Sequence, residues 1–303
     1  MKKIYIIKEN DTSSRLDRWI KRNLSNIPQS LIEKNIRKGN IKVNNKKKKG
    51  SFKLTLNDKI SVYNFNFKAN ENKKVQTRYD ASKTELKKTS GIFIEDNENY
   101  VVINKPAGIA VQSGTKTRKN IIDILRSTKE FDGVSPFTVH RLDKETTGIL
   151  IVAKNRKFAQ LFTSLFRIRK IHKTYLGISV GTPNKTKGIM KDELIYYEGE
   201  KKSTVQAITN YQVLDSNNNY SLLKLNPVTG RKHQIRKQLL INGTPILGDS
   251  KYRITKNYPS KKNELMLHAY KINFSIAGIK YSFYAEPPEN FVYTLKQKYL
   301  KIY

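Results

Sequence analysis

The sequence contains no cysteine and only four histidines. The absence of cysteine excludes disulfide bonds, thiolate nucleophiles and cysteine-based zinc sites. The histidines stand at positions 140, 172, 233 and 268, and none are paired at the spacing of metal ligands. No apolar run approaches the length of a membrane span, and the basic N-terminus lacks the apolar stretch of a signal peptide. We therefore expect a cytoplasmic protein without a metal site.

Acidic residues are also scarce. The chain of 303 residues carries 59 Lys and Arg against 25 Asp and Glu, which gives a formal net charge of +34 and a pI of about 10.1. A protein this basic attracts polyanions, so nucleic acid is the favoured partner and an anionic membrane surface the second. A sequence rich in Lys, Asn and Ile is also typical of an AT-biased genome, but that bias does not readily explain the shortage of acids.

Periodic apolar runs predict two folded parts joined by a polar segment. Residues 1–65 form the first part, with strands at 4–7, 41–43 and 54–62 and two helices between the first two strands. The Thr and Ser residues at 12–14 are candidate caps for the first helix, Pro28 can begin the second, and Gly39 can end it. Residues 66–88 carry no apolar period and predict a flexible linker.

The first part has a basic face. Residues 1–68 contain 18 Lys and Arg against five Asp and Glu. Arg15 and Arg18 belong to the first helix and Arg37 and Lys38 to the second, where they suit contacts to phosphates. The order helix, helix, hairpin and the run RLDRWIKRN…LIEKNIRKGNIKVNN resemble the S4 RNA-binding domain. The alternative is a solvated basic face on an N-terminal cap.

Residues 89–303 predict a mixed α+β domain with many antiparallel strands. Strands are predicted at 92–94, 100–103, 149–153, 174–180, 204–213, 220–225, 265–274 and 281–285, and helices at 120–126, 158–166, 233–240 and 288–299. The aromatic and leucine positions of the helix at 158–166 recur at helical spacing. We interpret this stripe as core packing rather than as a platform on which bases stack.

The stretch at 138–155, TVHRLDKETTGILIVAKN, organises this second part. Polar residues precede a β-branched run, which predicts a loop that leads into a buried strand. Asp143 in the loop is a candidate nucleophile or base, and Arg141 precedes it by two residues. Gly148 suits a tight turn or a close backbone approach. An Arg/Asp pair in a loop is, however, more often a structural ion pair.

Two further clusters contain residues with catalytic potential. Lys173-Thr174-Tyr175 opens a predicted strand, and a tyrosine beside a reacting base can exchange protons with it or stack on its ring. The segment GRKHQIR at 230–236 opens a helix, and Arg236 can hold a carboxylate or phosphate in bidentate geometry. The alternatives are an ordinary strand tyrosine and a basic helix that binds backbone phosphates.

Together these three segments resemble the RluA-type family of pseudouridine synthases. HRLDKETTG, KTY and GRKHQIR occur in the family's order, and NKPAG, LIVAKN, PILGD and LHA add further agreement. The segment VQSGTKTRKNIIDILR and the chain length look most like the RluC branch, which modifies large-subunit ribosomal RNA. Two positions depart from the family pattern: Thr147 stands where serine is usual, and Gln238 stands where histidine is frequent.

The resemblance implies a role for each matching residue. Asp143 matches the essential aspartate, which attacks C1′ of the target ribose or removes a C2′ proton. Arg236 matches the arginine that pairs with this aspartate, and Tyr175 the tyrosine that packs on the base and helps to remove the C5 proton. Arg141 matches the residue that fills the gap left by the flipped uridine. Four more residues are candidates for RNA contact or support of the site: His140, Lys173, Arg231 and His233.

The same resemblance implies an isomerisation without any cofactor. The expected partner is large-subunit ribosomal RNA or a ribosome assembly intermediate, bound by a monomer. Two other hypotheses remain open at this point. One is a non-catalytic RNA-binding assembly factor that keeps the fold, and the other is a synthase of the same family whose substrate is transfer RNA.

Deletion of residues 1–68 is expected to weaken RNA binding and to flatten its salt dependence. Each phosphate contact that is lost reduces the slope of log K against log salt by about one. Filter binding of a large-subunit RNA fragment between low and moderate salt measures both quantities. Unchanged affinity would refute the assignment of an RNA-binding role to this part.

Overall fold

The computed structural model describes residues 2–24, 28–63, 91–113, 119–198, 201–254 and 265–301, together with single positions between 79 and 89. The chain divides into two compact units, Met1–Thr77 and Arg78–Tyr303. Most of the segment predicted to be a linker, residues 66–88, lies outside the described residues.

The first unit packs two helices on a small antiparallel sheet. In chain order it contains β1 (Lys2–Ile6), α1 (Leu16–Asn23), α2 (Gln29–Lys38), β2 (Ile41–Val43) and β3 (Lys59–Tyr63), with strand order β1-β3-β2. Leu16, Trp19 and Ile20 of α1 are buried against the sheet, because their spacing places them on one helix face. Gly39 ends α2 in the left-handed conformation, as predicted.

Three of the elements predicted for this unit have other bounds. The first strand, predicted at 4–7, spans Lys2–Ile6. Helix α1 begins at Leu16 after Arg15, not after residues 12–14, because the backbone of Ser13 and Ser14 bonds to Leu54. The strand predicted at 54–62 begins only at Lys59. Asp58 closes a turn before it, since one of its carboxylate oxygens accepts the backbone N–H of Thr55 at 2.8 Å.

The second unit is built on one mixed sheet. Its strands are β4 (Phe93–Asp96), β5 (Tyr100–Lys105), β6 (Phe137–Thr138), β7 (Thr147–Ala153), β8 (His172–Val180), β9 (Lys187–Glu198), β10 (Lys201–Ser216), β11 (Tyr220–Pro227), β12 (Leu267–Ile276) and β13 (Ile279–Tyr284). Its helices are α3 (Ile121–Arg126), α4 (Arg156–Arg167), α5 (Gln234–Ile241) and α6 (Glu289–Gln297). The strand order is β4-β5-β7-β12-β8-β11-β10-β9, with β6 beside β7 and β13 beside β12. This confirms the predicted α+β class with a mostly antiparallel sheet.

Strand β9 was not predicted. It pairs with β10 along its whole length, from Lys187 opposite Gln212 to Glu198 opposite Lys201. Lysines and acids interrupt its apolar pattern because it is an edge strand with one exposed face. Among its residues from 187 to 197, Met190 and Leu194 are the buried ones. The helices predicted to start at residues 120 and 233 begin one residue later, since Asn120 and His233 are their caps.

The aromatic stripe on α4 packs against the sheet, as predicted. Phe162 is fully buried, and Phe158 and Leu165 pack against the same apolar cluster. The ring of Phe166 belongs to this cluster and also stacks on His140, with centroids 4.5 Å apart. The helix therefore supports the loop that carries Asp143 from one side.

Strands β7 and β12 form the parallel pair in a sheet whose other described pairings are antiparallel. They meet at His268 opposite Thr147 and Ala269 opposite Gly148. Gly148 has φ +104°, and a Cβ there would lie 2.3 Å from the carbonyl oxygen of Ala269. The close approach predicted for this glycine is confirmed, and no side chain fits at this position.

Gly148→Ala is expected to destabilise the second unit by at least about 3 kcal/mol, because it combines backbone strain with a clash against the backbone of β12. Urea unfolding measures the loss. Gly133 offers a matched control, since its φ is +69° but a Cβ there meets nothing within 4 Å. Gly133→Ala should cost only the left-handed strain of about 1 kcal/mol, and equal losses for the two variants would contradict the role of the strand contact.

Candidate active site

The three sequence segments meet around one cavity of about 580 Å³ in the second unit. Its walls come from the loop before β7, from the start of β8, from the turn between β11 and α5, and from α4. The lining includes the residues predicted for the catalytic domain: His140, Arg141, Asp143, Lys173, Tyr175, Arg231, His233 and Arg236. Residues separated by almost 100 positions in the chain thus share one cleft.

Arg236 connects two carboxylates at the floor of this cleft. Its Nη1 donates to Oδ2 of Asp143 at 3.2 Å, and its Nε and Nη2 donate to the two oxygens of Asp249 at 2.7 and 2.8 Å. The Asp249 side chain is fully buried, whereas that of Asp143 retains 17% exposure. The bidentate pair fixes the plane of the guanidinium and turns Nη1 toward Asp143. Asp143 is therefore ion-paired and still reachable from the cavity.

His233 approaches the other oxygen of Asp143. Its Nε2 lies 3.5 Å from Oδ1, and its Nδ1 lies 2.8 Å from the hydroxyl of Tyr252. The histidine has φ +53°, a left-handed conformation that is uncommon for residues other than glycine. Burial lowers the pKa of His233 to about 4, against the opposing pull of Asp143, so the ring is neutral at pH 7.

Tyr175 lines the cavity from β8, two residues after Lys173 on the same face of the strand. Burial raises the pKa of the Tyr175 phenol, and the nearby charge of Asp143 raises it further. The phenol therefore stays protonated, which suits packing against an uncharged ring and hydrogen-bond donation.

The basic residues of the cleft differ in exposure. The side chain of Arg141 is exposed at the mouth, whereas Lys173 is half-buried and burial lowers the pKa of its ammonium. Arg231 donates from Nε to the carbonyl of Gln206 at 3.2 Å. These residues form a cationic rim above the carboxylate of Asp143.

His140 has a structural role. Its Nε2 accepts the backbone N–H of Ile151 at 2.8 Å, and its ring stacks on Phe166. Burial lowers the pKa of His140 to about 3, with Lys173 adding to the effect, so the ring is neutral. The structure thus gives His140 a role in holding the Asp143 loop on β7, and its contact with RNA stays a prediction.

The two departures from the family pattern both have partners. Thr147 keeps a hydroxyl, and its Oγ1 lies 2.8 Å from Nδ1 of the buried His268. Gln238 is fully buried, where it accepts from the hydroxyl of Thr209 and donates to the carboxylate of Asp192. Thr147 and Gln238 are therefore structural and lie outside the cavity lining.

Sequence reasoning missed three residues that support the site. Lys105 is completely buried, and its Nζ donates to the carbonyls of Pro106 and Ile109 at 2.6 and 3.0 Å in the turn after β5. A third bond, to the carbonyl of Lys144 at 3.2 Å, joins that turn to the Asp143 loop. Burial lowers the pKa of Lys105 to about 7. Asp249 holds Arg236, and Tyr252 holds His233, the two side chains that lie next to Asp143. The phrases NKPAG and PILGD contained two of the three but gave no sign of what they contact.

The predicted phosphate contacts of the first unit differ in their availability. Arg15 pairs with Asp17 through a contact of 2.5 Å and is only partly free for another anion. Arg18, Arg37 and Lys38 are exposed on α1 and α2. Within the described part of the chain there is no group of three or more residues able to hold a metal ion. No helix among the described residues is long and apolar enough to cross a membrane.

Comparisons with known proteins agree on one family. Residues 99–240 match the family described as RNA pseudouridylate synthase. Proteins named ribosomal large subunit pseudouridine synthase C are 35% identical in Rickettsia conorii, over 87% of this chain and 89% of that protein, and 36% identical in Rickettsia bellii, over 87% and 90%. The relative of the same name from Buchnera aphidicola is 32% identical over 88% of each chain.

Solved structures agree with the fold of the second unit. The human RNA pseudouridylate synthase domain containing 4 protein superposes with a TM-score of 0.62 and 28% identity, over 72% of this chain and 96% of that one. The human RNA pseudouridylate synthase domain containing 1 protein gives a TM-score of 0.54 at 21% identity, over 65% and 83%, which shows a shared fold.

Asp249→Asn is expected to destabilise the protein by about 3 kcal/mol, because it leaves the buried arginine without its bidentate anion. Urea unfolding measures the change. The ion pair of Asp96 with Lys154 is the control, since Asp96 is 40% exposed. Asp96→Asn should cost less than about 1 kcal/mol. Similar losses in both variants would argue against Asp249 as the support of Arg236.

Proposed function

The chain belongs to the RluA-type family of RNA pseudouridine synthases, and we propose that it converts uridines of large-subunit ribosomal RNA to pseudouridine. The observation that carries the proposal is the position of Asp143, which is ion-paired to Arg236 and open to a cavity also lined by Tyr175. The substrate class is supported by the names of the bacterial relatives that match most of this chain and by the net charge of +34. A polyanion is the partner such a charge favours.

We propose that Asp143 performs the covalent chemistry on a uridine that has left the RNA stack. It either attacks C1′ or removes the proton from C2′, and in both cases the bond from N1 to C1′ breaks. The freed uracil rotates in place. As C5 bonds to C1′, the bond from Asp143 to C1′ breaks or the proton on Asp143 returns to C2′. The proton on C5 then leaves and N1 takes up a proton, so the number of protons is unchanged. Atoms are conserved between uridine and product, so the reaction requires no donor of electrons or groups.

The surrounding residues make this carboxylate usable. A nucleophile or base must be ionised, and Arg236 holds a positive charge 3.2 Å from it in a site partly shielded from water. Tyr175 lines the same cavity, so we assign it packing against the uracil ring and help in removing the C5 proton through its hydroxyl. A rigid aromatic surface at that place leaves the freed base able to rotate in its plane.

We assign Arg141 to the RNA side of the reaction. It is exposed at the mouth of the cavity, two residues from Asp143, and has a long planar cation. Extrusion of a base costs a few kcal/mol of stacking and pairing. A guanidinium inserted between the neighbouring bases replaces part of that stacking. Lys173 and Arg231, which also line the cavity, are assigned contacts to the RNA backbone near the target.

We propose that the first unit is an S4-like RNA-binding domain. Two helices packed on a three-stranded antiparallel sheet suit that assignment, and the exposed Arg18, Arg37 and Lys38 suit contacts to phosphates. A protein that modifies ribosomal RNA works where ribosomes are assembled, so we propose the cytoplasm as its location. Transfer RNA is the alternative substrate, and the sequence resemblance to S4 disfavours it.

The substitution Asp143→Asn tests the function. Incubated with unmodified bacterial large-subunit RNA, the wild type should produce pseudouridine at defined positions, mapped as carbodiimide-dependent stops of reverse transcription. Asp143→Asn should reduce the rate by at least about 10³-fold, because the carboxylate that does the chemistry is lost. Unfolding in urea checks that the variant remains folded.

Each alternative predicts a different result in this assay. If the wild type gives no more stops than Asp143→Asn, the protein is not a synthase for this RNA. Stops on bulk transfer RNA but not on ribosomal RNA would assign it to the other substrate. Tight binding of ribosomal RNA without modification would identify a non-catalytic assembly factor.

A further inference from the structure

Tyr252 contacts both of the residues that flank Asp143. Its hydroxyl lies 2.8 Å from Nδ1 of His233, and its ring lies 5.1 Å from the guanidinium carbon of Arg236. Its backbone N–H donates to Oδ1 of Asp249 at 2.8 Å, so the carboxylate that holds Arg236 also holds Tyr252. The tyrosine itself does not line the cavity, which places it behind the residues that do.

The hydrogen bond of Tyr252 decides which nitrogen of His233 carries the proton. The neutral ring has one N–H and one acceptor nitrogen. If Nδ1 carried the proton, the lone pair of Nε2 would face the carboxylate of Asp143 at 3.5 Å, and the two would repel each other. If the tyrosine hydroxyl donates to Nδ1, the proton sits on Nε2, which faces Oδ1 of Asp143 at 3.5 Å, a distance that gives electrostatic attraction rather than a full hydrogen bond. With the proton on Nε2, the hydroxyl of Tyr252 donates to Nδ1 and no two acceptors face each other.

We propose that Tyr252 is a positioning residue of the reaction, which acts through His233 by fixing the tautomer whose N–H faces Asp143. Its ring lies 5.1 Å from the guanidinium carbon of Arg236, a cation–π contact that adds to the hold of Asp249 on that side chain. One oxygen of Asp143 accepts from Arg236 and the other faces Nε2 of His233 at 3.5 Å, and Tyr252 acts on the second of these contacts. The expected effect on the rate rests on the proposed function. The effect of Tyr252 on the tautomer of His233 does not depend on the substrate.

The tautomer of His233 is directly measurable in this protein. The chain has only four histidines, so the imidazole ¹⁵N resonances in a long-range ¹H–¹⁵N spectrum are few and are assigned by substitution. His268 is an internal reference, because its Nε2 lies 2.8 Å from the carbonyl of Ala285 and must carry the proton there. In the wild type His233 should show the same pattern as His268, with the proton on Nε2.

Tyr252→Phe removes the hydroxyl and keeps the ring beside Arg236. We expect the His233 resonances to shift toward a mixture of tautomers while those of His268 stay unchanged. Tyr196→Phe is the matched control. The hydroxyl of Tyr196 donates to the carbonyl of Lys232 in the same turn, at 2.9 Å, without contacting His233 or Arg236. That control should leave the His233 spectrum and the rate within about twofold of the wild type.

A double-mutant cycle tests whether the effect on the rate passes through His233. His233→Asn is chosen because asparagine tolerates the left-handed backbone but is too short to reach Asp143. We expect kcat on unmodified large-subunit ribosomal RNA to fall about fivefold in Tyr252→Phe and about tenfold in His233→Asn, with KM unchanged within about twofold. The double variant should be no slower than His233→Asn alone, because the two residues act in series.

The outcomes separate this inference from the proposed function. A wild-type His233 protonated on Nδ1, or a spectrum unaffected by Tyr252→Phe, would overturn the positioning role whatever the enzyme modifies. Multiplicative losses in the cycle would also overturn it, since they would show that Tyr252 acts independently of His233. A wild type inactive on every RNA tested would contradict the proposed function alone, while the spectra would still decide the role of Tyr252.

Discussion

The ion pairs of Arg236 are the interaction on which the cleft depends. A buried arginine is costly unless its donors are satisfied, and here Asp249 accepts from Nε and Nη2 while Asp143 accepts from Nη1. Asp249 is a fixed anchor, because it is completely shielded from solvent and also accepts two backbone N–H groups. The guanidinium therefore has one orientation, and the carboxylate of Asp143 inherits its direction from a residue 106 positions further along the chain.

The sheet explains why these distant residues meet. The loop of Asp143 leads into β7, whose seven residues are all buried, and β7 lies beside β12, which lies beside β8 with Tyr175. Gly148 allows β7 and β12 to approach closely, and the contact of Thr147 with His268 joins the same two strands. Lys105 joins the turn after β5 to this loop, because it donates to the carbonyls of Pro106 and Ile109 and to that of Lys144. Each of these contacts restricts the movement of an element that positions the carboxylate of Asp143.

The sequence was informative wherever a local pattern carried the signal. The buried strand at 149–153, the amphipathic helix around Phe162 and the need for Gly148 all follow from neighbouring residues. The support of Arg236 by Asp249 and of His233 by Tyr252 did not follow, because nothing in the sequence tells which distant side chains become neighbours. Strand β9 was not predicted for another reason. Its exposed face is charged, so apolar and polar residues do not alternate regularly along it. The cap at Arg15 depended on backbone pairing with a distant loop.

The pairing of two carboxylates with one arginine also divides the cleft by charge. Its floor, with Asp143, Asp249 and Arg236, carries more negative than positive groups, and His233 adds none because it is neutral. Its rim, with Arg141, Lys173 and Arg231, is cationic. A nucleotide has the opposite arrangement, with an anionic backbone and an uncharged base. On the proposed function, attraction at the rim and repulsion at the floor favour a target whose backbone stays at the entrance while its uncharged base enters the cleft.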